Sequence, residues 1–196
     1  MMALPPSTET PRLRYLQDIV DTATDAGWAD WPTPKESDYT QFGKIIVLYS
    51  YIDVSIRRIV EAAGNADSLG DAWKGRVRKL NISEAEEAVL SLDWSDPNRT
   101  ALNQIIERRG LRNLIAHFAV RRFPSDDAFL FFTKSDRDFK RLYGRDPAPG
   151  TIMTAILECS QLNDGFRHIH ELQKWVTKAA SEAELLFLKL KANRSG

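Results

Sequence analysis

Apolar positions recur along this chain at the three-four spacing of helices over most of its length. Leu13, Leu16, Val20 and Ala23 form one stripe behind Thr10 and Pro11, a helix start with proline in the first turn, and the stripe runs to Gly27. Trp28 to Asp38 reads as a connector, because Pro32 and Pro34 lack amide hydrogens and restrict the residues before them. Its tryptophans, Trp28 and Trp31, are expected to fold back over the core. Tyr39 to Ala63 carries the broadest apolar face of the first half, built from Phe42, Ile45, Tyr49, Ile52, Ile56, Ile59 and Val60. The three-four spacing persists past Arg57, so a helix is predicted despite the β-branched residues, and Gly64-Asn65 ends it.

Leu69 to Leu80 reads as a short basic helix with Trp73, Val77 and Leu80 inward. Ser83 followed by Glu86 has the spacing of a capping box and opens a helix reaching about Leu92. Ser95-Asp96-Pro97 opens the next, which extends to about Phe118. Val120 to Phe123 and Ala128 to Thr133 flank a Pro-Ser-Asp-Asp turn and suggest a β-hairpin. Ser135 to Tyr143 is a predicted helix, and Gly144 to Gly150 a loop. From Thr151 onward one long helix is expected, with Ile152, Ile156, Cys159, Leu162, Ile169, Leu172 and Val176 on a single seam. The expected class is all-α: an up-and-down helical bundle with a small β-hairpin insertion after the helix that ends near Phe118. A single helical domain over 1–196 is expected, with a flexible arm at 1–10, a bundle core at 39–186 and a hairpin and short-helix insertion at 119–150.

Composition narrows the setting. With 27 basic and 27 acidic residues the formal charge is zero, which argues against a generic polyanion binder but leaves room for a local basic site. The single cysteine, Cys159, excludes an internal disulfide and an all-cysteine metal cluster, and suits a reducing compartment. Met1 to Thr10 has no basic segment followed by an apolar run, as a secretory signal requires. No stretch approaches the roughly 18 apolar residues of a spanning helix. The expected location is the cytoplasm, with no membrane partner.

Local charge is uneven. Between Arg99 and Arg122 lie six arginines, at 99, 108, 109, 112, 121 and 122, against Glu107 alone. Arg108, Arg109, Arg121 and Arg122 are candidates for contact with an RNA backbone, which such a rim would attract without reading bases. Within the same segment Arg112, Asn113 and His117 are candidate catalytic residues. Asn113 and His117 are four apart and share a helix face, whereas Arg112 and His117 diverge by about 140°. One copy therefore does not enclose a substrate, and a second copy across a two-fold axis would complete a cleft. Histidine exchanges protons near neutrality, and arginine presents a planar fork to phosphate oxygens. That chemistry suits 2′-hydroxyl attack on RNA, which needs no metal and no cofactor. His168 and His170 are two apart and diverge on a helix, so no metal set is expected. Spacing alone leaves open that His117 is simply a packed bundle histidine. Tyr49 and Trp175 read as packing residues, Cys159 as core, and Asp53 and Glu158 as surface carboxylates.

Arg112-Asn113-Leu114-Ile115-Ala116-His117 resembles the Arg-Asn-x-x-x-His signature of the HEPN superfamily, helical domains many of which are metal-independent endoribonucleases. The resemblance implies a HEPN-like bundle that dimerises with the signature near the interface. It implies a catalytic acid/base at His117, a phosphate-holding Arg112 and an orienting Asn113. It also implies settings such as toxin–antitoxin or phage-defence systems, in which an antitoxin or other protein is a partner. The alternative carried by the same resemblance is an inactive nucleotide- or RNA-binding, or protein-interaction, module.

Overall fold

A computed structural model of the protein describes residues 10–23, 25–143, 145–148, 150 and 152–194. Met1 to Glu9, the bulk of the expected arm, lies outside the described residues, as do Gly144 and Pro149 of the expected loop. The element order is α1 (Pro11–Thr22), α2 (Asp25–Ala29), α3 (Glu36–Asn65), a 3-10 turn (Val77–Lys79), α4 (Ile82–Leu90), α5 (Asp96–His117), β1 (Ala119–Arg122), β2 (Ala128–Thr133), α6 (Asp136–Tyr143), β3 (Met153–Glu158) and α7 (Cys159–Arg194). Helix dominates, with a small antiparallel sheet. The chain packs as two compact units interleaved in sequence, one from the described residues of Met1–Ile46 and Glu107–Arg167, the other from those of Val47–Ile106 and His168–Gly196.

The first unit is organised on the sheet, in the order β1-β2-β3. The expected hairpin is present, with Ala119 opposite Phe132 and Arg122 opposite Phe129. It is not a self-contained insertion, because β3 pairs along the other side of β2, Leu130 opposite Ile156. The residues of β3 were expected on a helix. Ile152 and Ile156 are four apart, a spacing that fits a helix seam and equally one face of a strand. The pairing of Met153 to Glu158 with β2, Ile156 included, decides for the strand, so the last helix begins at Cys159.

Ala128 to Phe131 are all buried, the continuous apolar run of a strand covered on both faces. On one face Phe129 and Phe131 meet Phe42 of α3 at ring distances of 5.3 and 5.8 Å. On the other, Ala128 and Leu130 join Leu16 and Val20 of α1, Trp28 and Phe123, with Ile152 and Ile156 against them. Trp28 lies 5.9 Å from Phe132, and Trp31 lies 4.9 Å from Phe123. The core thus reaches back to α1, well before the expected start at residue 39. Thr10 starts α1, its hydroxyl accepting the Leu13 amide at 3.0 Å.

The second unit is helical. Tyr49, Ile52, Ile56, Ile59, Val60 and Ala63 of α3 are buried, as are Ala85, Ala88 and Val89 of α4, Leu102 and Ile105 of α5, and Ile169, Leu172 and Val176 of α7. The predicted basic helix at Leu69–Leu80 is instead a run of turns closing in the 3-10 turn. Gly75 at φ 72° reverses the chain within it, a geometry no α-helix continues through. The capping box is formed by Asn81 and Glu84, not by Ser83 and Glu86. The Asn81 side chain accepts the Glu84 amide at 3.0 Å, and Glu84 accepts the Asn81 amide at 2.8 Å. Both spacings exist in the sequence; the helix opens at Ile82, so the earlier pair is the one in position.

Candidate functional site

The last three turns of α5 carry most of the candidate residues. Leu111, Leu114 and Phe118 are buried and fix which face turns inward. Close packing occurs where Gly165 of α7 meets Leu111: a side-chain carbon at that glycine would lie 3.1 Å from a leucine methyl. Gly110, two residues before Arg112, is buried within the chain.

With that face inward, Arg108, Arg109, Arg112 and Asn113 are half-buried and His117 is exposed at the helix end. The Phe118 amide donates to the Leu114 carbonyl at 3.1 Å, and the chain leaves directly into β1. Arg112 donates to its neighbour Asn113 at 3.2 Å. Among the described residues no carboxylate pairs with Arg108, Arg112 or His117. Three cationic or proton-exchanging side chains are therefore open to an anion on one short helix segment.

Arg121 and Arg122 part company because successive strand residues face opposite ways. Arg121 stands opposite Leu130, half-buried, donating to the Val120 carbonyl at 3.4 Å. Arg122 turns to the face that meets α3. Its guanidinium donates to Asp38 at 2.6 Å and to Asp127 at 2.6 Å, and lies 5.2 Å from the centre of the Phe129 ring. Arg122 and Asp38 each expose only 12% of the side chain, so this fork is already engaged inside the protein. The hydrogen bond to Asp38 raises the Arg122 pKa further and holds it charged. Asp38 in turn accepts the Lys35 amide at 2.7 Å at the start of α3. Nothing local in the sequence links residues 38 and 122.

Cys159 also lies here, at the first residue of α7, half-buried rather than in the core. Burial first, then Asp127, pushes its thiol up to about 12, so it is a poor nucleophile at neutral pH. Glu158 pairs with Arg12 at 3.7 Å. Beyond the hairpin, Lys140 pairs with Asp146 at 3.0 Å, and Arg145 lies 5.9 Å from the Phe139 ring. Tyr49 is buried and donates to the Ile105 carbonyl at 3.4 Å, while Trp175 is half-buried. Among the described residues no group of three or more His, Cys, Asp or Glu side chains is arranged to hold a metal ion. No described helix is long and apolar enough to cross a membrane.

No family model, curated protein or solved structure matches the chain. Any functional reading therefore rests on the residues themselves. Two shallow clefts are lined by residues of α3, α7 and the 64–77 segment, away from the motif residues.

Proposed function

We propose that this chain is a metal-independent endoribonuclease of the HEPN type, working at a site composed from two copies and serving as a cytoplasmic toxin or phage-defence effector. The carrying observation is the last turns of α5, where Arg108, Arg112 and His117 have no acid partner among the described residues and His117 is exposed. In the proposed reaction a ribose 2′-hydroxyl attacks the adjacent phosphorus. One His117 accepts the hydroxyl proton, and its counterpart in the second copy gives a proton to the departing 5′-oxygen. Arg112 opposes the charge that grows on the phosphate oxygens, and Asn113 restrains Arg112. The products are a 2′,3′-cyclic phosphate and a 5′-hydroxyl. Arg108, Arg109 and Arg121 would hold the RNA backbone.

The test is cleavage of labelled RNAs in chelator, with the cyclic phosphate as the product signature. His117→Ala is expected to lower the rate about 10²- to 10⁴-fold while the fold is retained. Intact RNA with the wild-type chain, or full activity in His117→Ala, refutes the reading. A second reading, a HEPN-like module that binds RNA or a partner protein without cutting, needs only the half-buried arginines of α5 and no enclosed site. Salt-sensitive RNA binding without cleavage would select it.

A further inference from the structure

The seam of α7 that faces the second unit is buried at Leu172, Val176, Ala179 and Ala183, and then its cover ends. Beyond Ala183 the helix stays apolar on more than one side: Leu185 is 62% exposed, Leu186 55%, Leu188 64% and Leu190 37%. A helix that is apolar around its circumference belongs in an interior. Together these leucines expose roughly 400 Å² of apolar surface, more than scattered surface residues supply.

Charge along the segment indicates what covers it. From residue 182 to 191 the sequence runs Glu-Ala-Glu-Leu-Leu-Phe-Leu-Lys-Leu-Lys, with acids at its start and bases toward its end. Such a segment is complementary to itself only when reversed. Glu182 and Lys189 are seven apart, two turns along one flank of the helix. In a two-fold antiparallel pairing like flanks meet, so each Glu182 faces the other copy's Lys189 across the leucines. Within the chain Glu184 is engaged by Arg58 at 2.7 Å, and Glu182 has only an exposed contact with Lys178 at 3.6 Å. Lys189 has no acid partner among the described residues.

We propose that the last turns of α7 form a self-association surface, in which Leu185 and Leu188 pack against the same residues of a second, antiparallel copy, with Glu182 paired to Lys189 on the flank. The inference does not rest on the nuclease reading; that reading also needs two copies, so the leucine and charge substitutions, not dimerisation alone, report on this surface, and RNA cleavage reports on the other.

The test is sedimentation of the full chain from about 1 to about 100 µM, a range that captures micromolar association. The wild type is expected to dimerise. Leu185→Glu with Leu188→Glu is expected to be monomeric, with unchanged helical circular dichroism. Glu182→Lys alone and Lys189→Glu alone should each weaken association about tenfold, because each places like charges together twice per dimer. The two swaps combined should restore it to within about threefold of the wild type. Three results overturn the proposal: a wild type that stays monomeric throughout, a dimer indifferent to the leucine substitutions, or a double swap no tighter than the single swaps. A heterologous partner helix as the occupant would give the first of these.

Discussion

Arg122→Ala tests whether this arginine is a surface cation or an internal tie. Two of its contacts differ sharply in setting. Asp127 is 74% exposed, and a pair of that kind adds at most about 1 kcal/mol. Asp38 and Arg122 are each only 12% exposed, and removing one partner of a desolvated pair costs about 3–5 kcal/mol because the other charge remains buried. Asp38 keeps the Lys35 amide at 2.7 Å, which holds the cost to the lower part of that range. Loss of the guanidinium over Phe129 adds about 0.5–1 kcal/mol. The expected destabilisation is about 4 kcal/mol, read as a shift of the urea midpoint at constant slope. Arg122→Lys keeps the charge but loses the fork, so it should fall between the two. Arg108→Ala serves as the contrast, with stability within about 0.5 kcal/mol of the parent. If Arg122→Ala costs under about 1 kcal/mol, the buried-tie argument is wrong and the residue returns to the candidate RNA-binding set.

Other expectations follow from single contacts. Asn81→Ala removes the acceptor that caps α4 and should cost about 1 kcal/mol in chemical denaturation. A side chain at Gly64 would lie 2.7 Å from a Val77 methyl, so Gly64→Ala should lose about 1–2 kcal/mol net of its helix preference, and Val77→Ala in the same chain should recover part of it. The Cys159 pKa is raised on folding, so its contribution is fully present below the unfolded thiol's range, about 8.5, and is lost as pH climbs toward about 12. Stability curves should therefore decline between those values, and Cys159→Ala should flatten the decline. An unchanged alkaline slope in that variant would count against the burial argument.

The periodicity of the chain was enough to place α1, α3, α5 and most of α7, because each buries one stripe whose spacing is written locally. The hairpin strands were legible for a similar reason, with a turn sequence between two apolar runs. The strand β3 was not, since Ile152 and Ile156 satisfy two periods at once and only pairing with β2 separates them. The turns at 69–80 were missed because a basic, tryptophan-bearing run has acceptable helix composition. The backbone reversal at Gly75 overrules it.

The candidate site divides along the same line. Sequence alone determined that Arg112, Asn113 and His117 ride one helix with Arg108 and Arg109, since helix spacing is a local property. Only tertiary structure decided which arginines keep a free charge. Arg121 and Arg122 are adjacent and chemically identical, yet strand alternation sends one toward Leu130 and the other into Asp38, 84 residues away. A partner that distant is brought in by the packing of α3 on the sheet, and no local pattern encodes it.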